Sequence, residues 1–283
     1  MTQHAPNPMQ HFIVIGNPIA HSKSPAIHQV FASQNRLAIS YQRQYCPDDA
    51  QSFQAVVEAF FNGGGVGANV TVPFKQIAYT QCQAQGGLSA HAKVAGAVNT
   101  LLIKDGALYG DNTDGQGLVN HMIRLEWPLT DARVAIIGAG GAARGVILPL
   151  IEAGIGALTI ANRTVSRAQD LASELSAASN VINNHTITSC ETSKLTGEFD
   201  LIINATSIGL TDATLPIADA LNTTYAYDMM YGRDLPFLDH FEQRGAKVSD
   251  GYGMLIGQAA LSFERWTMRT VDVTQATTKL HDS

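Results

Sequence analysis

Val134-Ala135-Ile136-Ile137 runs directly into Gly138-Ala139-Gly140-Gly141-Ala142-Ala143, and the chain then reads as helical from Val146 to Glu152. Strand, small-residue turn and helix in that order aim backbone N–H groups and a positive helix end at one point. That arrangement binds a pyrophosphate. The spacing departs from GxGxxG, because Ala143 takes the third glycine position and Gly141 is extra. Alanine is still small enough there for close helix–strand packing. The end of the next strand bears on which dinucleotide is held. A site for an unphosphorylated ribose places Asp or Glu about 20 residues on, to accept from the 2′-hydroxyl. This chain reads Asn162-Arg163-Thr164-Val165-Ser166-Arg167 instead, with no carboxylate in the run. Two guanidiniums four residues apart suit a phosphate, which Arg grips bidentately. The expected cofactor is NADP (NADPH). The competing reading is a solvated helix start with two incidental arginines.

A second constellation stands near the N-terminus. Ser22 and Ser24 lie on a loop entering a helix, with Pro25 at the first helical position. Their hydroxyls can donate to a carboxylate near a positive dipole end. Ser24 also reads as an N-cap, and the two roles are compatible. His21 is expected to position this turn rather than act as a base. The histidines show no HExxH or paired spacing, so no metal site is expected. Hydride transfer to a ketone needs a proton donor beside the developing alkoxide. Lys75, two residues after Pro73, is of a suitable type.

The elements that must position these groups show two rhythms. Phe12–Ile15, Ile39–Tyr45 and Ala68–Val72 read as strands, Ser24–Asn35 and Ala50–Phe61 as helices, and Pro73 stands where another helix would start. Asp105-Gly106 is a hairpin signal between Val98–Ile103 and Ala107–Tyr109. After a crossing helix near Gly115–Leu125, strands follow at Val134–Ile137, Ala157–Ala161, Leu201–Ile203 and Tyr225–Asp228, with a helix around Ser166–Ser176. Such repeats imply right-handed βαβ units on a parallel sheet. A helical stretch from Gly253 to Met268 and a polar tail end the chain. There is no internal repeat and no low-complexity linker.

Composition limits the partners. The 283 residues carry a formal net charge of −6, and no long Lys/Arg run is present. That excludes a general nucleic-acid binder, which needs a basic face. No apolar run approaches the ~20 residues needed to cross a bilayer, and Met1–Gln10 has neither a basic nor an apolar leader region. Three scattered cysteines, Cys46, Cys82 and Cys190, form no CxxC pair and suit a reducing compartment. The expectation is a cytoplasmic protein with a small-molecule substrate, no nucleic-acid or membrane partner, and a monomeric or homodimeric state.

Several motifs together resemble the shikimate dehydrogenase family, in family order over essentially the whole chain. They are Gly16–Pro25, Asn69–Lys75, Gly96–Thr100, Gly110–Gly115, Gly138–Arg144, Asn162–Arg167, Asn204–Ser207, Asp228–Tyr231 and Gly251–Gln258. The resemblance implies reversible NADPH-dependent reduction of 3-dehydroshikimate to shikimate, in the pathway to chorismate and aromatic amino acids. It makes Lys75 and Asp114 a catalytic dyad, the lysine exchanging the proton and the aspartate orienting it. It gives Ser22, Ser24, Thr71, Lys75, Asn99, Asp114, Tyr231 and Gln258 to the substrate. It gives Gly138, Ala139, Gly140, Gly141, Ala142, Asn162, Arg163, Thr164, Arg167, Thr206, Met229 and Gly251 to the cofactor.

The implied fold is two α/β domains flanking a cleft. Residues 1–112, with a mixed sheet and completed by the C-terminal helix 254–283, form the substrate-binding catalytic domain. Residues 113–253 form a Rossmann-like NADP-binding domain. One departure from the family is the glycine-rich segment Gln85–Ala92, which replaces an acidic-basic pair and leaves the cofactor contact usually made there in question. A quinate/shikimate dehydrogenase with relaxed cofactor use is the nearest alternative, and a non-catalytic NADP-sensing module a more distant one.

Overall fold

The computed structural model describes residues 8–85, 87–178, 182, 185–206 and 216–281. Gly86 of the glycine-rich segment, Ser207 of the Asn204 motif and the first seven residues of the polar N-terminus lie outside them. The chain divides into two compact units, residues 1–113 with 256–283, and residues 114–255. One boundary falls at the start of a helix and the other inside helix Tyr252–Thr267.

Among the described residues, the first unit is built on five strands: β1 (Gln10–Gly16), β2 (Ile39–Tyr45), β3 (Gly67–Val70), β4 (Thr100–Lys104) and β5 (Ala107–Asp111). Their order is β2-β1-β3-β4-β5. β1 pairs in parallel with β2 and β3, and β3–β4 and β4–β5 are antiparallel. The sheet is mixed, as expected. Asp105 and Gly106 have φ of 52° and 79°, the geometry of a tight hairpin turn. Helices α1 (Ser24–Asn35), α2 (Ala50–Asn62), α3 (Lys75–Gln85) and α4 (Ala90–Ala95) cover it, with Ile15, Phe53, Val70, Phe74, Cys82 and Leu101 in one core. Trp266, on helix Tyr252–Thr267, lies flat against Gly67 and donates from Nε1 to Leu101 O at 3.0 Å. A Cβ at position 67 would sit 2.3 Å from that nitrogen, so only glycine admits the indole.

The second unit carries β6 (Arg133–Ile137), β7 (Ala157–Asn162), β8 (Thr186–Glu191), β9 (Gly197–Asn204), β10 (Leu221–Asp228) and β11 (Lys247–Ser249). All described pairings are parallel, in the order β11-β10-β9-β6-β7-β8. The chain winds outward from β6 through β8 and then crosses to β9. The topological switch therefore falls between β6 and β9, where doubly wound sheets bind ligands at the carboxyl end. Helices α5 (Asp114–Arg124), α6 (Gly141–Glu152) and α7 (Val165–Ala178) belong to this unit, with helix Pro236–Glu242 beside β10 and β11.

Four expectations need correction. Ser24 is the first helical residue of α1, not its N-cap; Lys23 takes that position without a side-chain cap bond. Pro73 does not open a helix. The chain turns first, Phe74 N donating to Thr71 O at 3.0 Å, and the helical ladder starts with Ala78 N to Phe74 O at 2.8 Å. β3 accordingly ends at Val70 rather than Val72. The C-terminal helix expected over 254–283 is two helices, Tyr252–Thr267 and Val273–His281, the second formed by the polar tail: Asp272 Oδ1 accepts from Gln275 N at 2.9 Å, and Ala276 is fully buried.

Candidate active site

In the first unit, parallel pairing carries the C-terminal ends of β1 and β3 side by side, with Ile15 opposite Val70. The serine loop leaves one and the Thr71–Lys75 turn leaves the other. Thr71 N donates to Ile15 O at 3.0 Å and Asn17 N to Val72 O at 3.1 Å, which locks the two segments together. Ser22 is half-buried and Ser24 is 8% exposed. The Ser22 hydroxyl donates to Ser24 Oγ at 3.2 Å and accepts from Ser24 N at 3.3 Å. Ser22 thus satisfies the open helix start that Ser24 does not.

Lys75 is half-buried at the first position of α3, and its carbonyl accepts from Val98 N at 2.9 Å. That bond joins the lysine backbone to the segment carrying Asn99. Asn99 is buried among polar partners: its Nδ2 donates to Thr113 Oγ1 at 3.0 Å and to Gln258 Oε1 at 3.3 Å, and its Oδ1 accepts from Thr113 N at 3.0 Å. Ser22 with Ser24, Thr71 with Lys75, and Asn99 with Gln258 are each brought together in this unit. Asp114 and Tyr231 belong to the other. Asp114 opens α5, half-buried, immediately after Thr113. Tyr231 follows β10, and its ring lies 6.0 Å from that of Tyr252. Burial, with Tyr252 and Asp250 nearby, raises the Tyr231 pKa, so its hydroxyl stays a donor at neutral pH.

The cofactor candidates of the second unit gather along one sheet edge. The register places Ile137 opposite both Ala161 and Asn204, and Asn204 opposite Asp228. Gly138, Ala205 and Met229 consequently leave their strands, and Asn162 ends its own, at the carboxyl end. Gly138 has φ 120° and a Cβ there would lie 3.1 Å from the Ala205 carbonyl, so glycine is required. Gly140 is the N-cap of α6, and Cβ atoms at Gly140 or Gly141 would meet nothing within 4 Å. The turn therefore presents bare backbone to open space at a helix N-terminus, which is a fit for a pyrophosphate.

Around it, Asn204 Oδ1 accepts from both Thr206 N and Thr206 Oγ1, at 3.1 and 2.7 Å. Its amide donates to Asp228 Oδ2 at 2.7 Å, and Asp228 Oδ1 takes Met230 N at 2.9 Å. Gly251 closes the edge through N–H donation to Met230 O at 2.9 Å. Asn162 Nδ2 donates to Thr164 O at 2.9 Å, fixing the loop that carries exposed Arg163 and leads into the first turn of α7, where exposed Arg167 stands. Arg144, at the first turn of α6, instead forms an ion pair with Glu174.

Several residues that shape the first unit's site carry no signal in sequence. Tyr41 donates to Asn69 Oδ1 at 2.7 Å, leaving Asn69 Nδ2 for Asn99 O at 3.1 Å and Ser262 Oγ at 3.0 Å. His28 stacks on Tyr41 with ring centroids 4.3 Å apart. Burial pushes its pKa down to about 3, so it packs as a neutral ring. Asp111, almost fully buried, accepts from Asn112 N at 2.7 Å and from Ser89 Oγ, and pairs with Arg265. It thereby holds the end of β5, the start of α4 and the C-terminal helix together. The glycine-rich segment docks against β5, with Gly110 N donating to Gly87 O at 2.9 Å and Ser89 N to Gly110 O at 3.0 Å.

Comparison with known proteins agrees with this geometry. A family model described as the shikimate dehydrogenase substrate binding domain matches residues 14–101. Models for shikimate / quinate 5-dehydrogenase and for the shikimate 5'-dehydrogenase C-terminal domain match residues 121–215 and 251–277. The shikimate dehydrogenase (NADP(+)) of Psychrobacter cryohalolentis is 72% identical, over 96% of this chain and 98% of its own. The Ael1 enzyme of Pseudomonas putida is 35% identical, covering 96% of this chain and 98% of that one, with a TM-score of 0.87. The shikimate 5-dehydrogenase of Thermus thermophilus, solved with NADP(H) and shikimate, is 30% identical, covering 96% and 99%, with a TM-score of 0.80. The chain belongs to the shikimate dehydrogenase family.

Proposed function

We propose that this protein is an NADP-dependent oxidoreductase that reduces 3-dehydroshikimate to shikimate, reversibly. The observation that carries the reading is the pairing, within one chain of this family, of a bare glycine cradle with two exposed arginines at the next strand end. When bound, NADPH supplies the hydride. The chain's own residues do the rest. Gly138–Ala142 and the α6 N-terminus hold the pyrophosphate, Asn162, Arg163, Thr164 and Arg167 meet the 2′-phosphate, and Thr206, Met229 and Gly251 line the same edge.

Ser22 and Ser24 donate to the substrate carboxylate, while Thr71, Asn99, Tyr231 and Gln258 bond the ring substituents. Lys75 gives a proton to the carbonyl oxygen as it becomes an alkoxide, and Asp114 orients the lysine and the hydroxyl. In the reverse direction Lys75 takes that proton back. Three free cysteines, Cys46 and Cys82 buried, fit a reducing, cytoplasmic location. Lys75→Ala tests the chemistry. General acid–base catalysis contributes roughly 10²–10⁴-fold. A loss of kcat in that range, with KM moving much less, is expected; near-normal turnover by the folded variant contradicts the assignment.

A further inference from the structure

A pair of serine hydroxyls is neutral. Such a pair binds an amide or a hydroxyl as well as it binds a carboxylate, unless a positive charge stands behind it. Arg43 donates to the Ser22 carbonyl from Nε at 2.9 Å and from Nη2 at 2.6 Å. A planar guanidinium that places two N–H groups on one carbonyl holds that peptide firmly. The carbonyl is uncharged, so the guanidinium charge is not cancelled by the contact. Among the described residues no carboxylate pairs with Arg43, and the residue is exposed.

Its position follows from the strand. Side chains two apart on β2 share a face, so Arg43 and Tyr41 lie on one side. Tyr41 is buried against Asn69 below, and Arg43 is one step further toward the carboxyl end, at the level of the serine loop.

We propose that Arg43 is the positioning and specificity-determining residue of the serine loop: it fixes Ser22 through the carbonyl and supplies the positive charge that makes the loop prefer an ionised carboxylate. The proposal rests on the reading that Ser22 and Ser24 receive that carboxylate. Lys23, between the two serines, is the other cation of the loop and serves as the control.

The test compares shikimate with its neutral methyl ester, the ester measured as a competitive inhibitor. Arg43→Gln should raise KM for shikimate by about tenfold, the size of one net polar interaction, while kcat changes less than KM. Its inhibition constant for the methyl ester should match wild type, and KM should lose most of its dependence on salt. Arg43→Lys, which keeps the charge but not the fork, should restore most of the discrimination between acid and ester. Lys23→Gln should leave that discrimination in place. Equal weakening of acid and ester by Arg43→Gln would mean that the arginine only shapes the loop, and would overturn the proposal, as would failure of Arg43→Lys to restore it. If Ser22→Ala with Ser24→Ala raises KM and Arg43→Gln does not, the proposal alone fails. If the serine variant leaves KM unchanged, the reading beneath it fails.

Discussion

The Ser22 hydroxyl takes the backbone N–H of Ser24 at 3.3 Å, so the first turn of α1 is satisfied from two residues upstream. Ser24 keeps its own hydroxyl buried between Ser22, whose Oγ donates to it at 3.2 Å, and the Tyr41 hydroxyl. Substitution separates these duties. Ser22→Ala together with Ser24→Ala should raise KM for shikimate strongly, since bonds to a charged group contribute about 1.5–3 kcal/mol each. NADP affinity should hardly change. The accompanying loss of melting temperature should track Ser22→Ala and be small for Ser24→Ala, because a cap contributes about 1 kcal/mol. Single-variant melting curves and steady-state kinetics read both effects. A weakened NADP affinity would put the serines in the wrong half of the site.

Cofactor choice depends on Arg163 and Arg167. Arg163 is exposed in the loop held by the Asn162–Thr164 bond, and Arg167 is exposed in the first turn of α7. NADP differs from NAD by one phosphate, so the two arginines should discriminate between them. Arg163→Ala with Arg167→Ala should weaken NADP by roughly two to four powers of ten and leave NAD nearly untouched. The loss should shrink at high salt, where the wild-type attraction is partly screened. Equal weakening of both cofactors, in fluorescence titrations, would make the arginines loop-shaping residues.

Stability should also depend on pH through His28. Burial holds its folded pKa near 3, below the ordinary 6.5, so the unfolded chain binds the extra proton first. Stability is therefore full above about pH 6.5 and falls as pH drops from there toward 3. His121, lowered to about 4 by burial and by Arg124, adds to the same slope. Urea unfolding should show His28→Leu flatter than wild type between pH 6.5 and 4, though less stable at pH 8 through lost packing. Parallel curves would mean that His28 is protonated in the fold.

The nucleotide edge was the most legible part of the sequence, because its chemistry is local. Gly138, Gly140 and Arg163 lie within one βαβ segment, where strand, turn and helix are read from neighbouring residues. The walls of the first unit's site were not legible. Tyr41 meets Asn69 across 28 residues and Asn69 meets Ser262 across 193, and nothing in the local pattern of either marks the pairing. Arg43 lies 21 residues from the carbonyl it holds, on a strand whose alternation reads only as half-buried. The break before helix Val273–His281 is poorly legible because that segment is mostly polar, with buried Ala276 seating it. The Pro73 error was of a different kind. Proline suits a first helical turn, but here the Thr71–Phe74 turn comes first and buried Phe74 sets the start.

The most direct measurement is the initial rate of the purified protein with shikimate and with quinate, each against NADP and NAD. Shikimate with NADP should give a kcat/KM at least about tenfold above any other pair, the factor that one net interaction of about 1.4 kcal/mol confers. Comparable rates with quinate or with NAD, or no turnover of shikimate by the folded protein, would contradict the assigned activity.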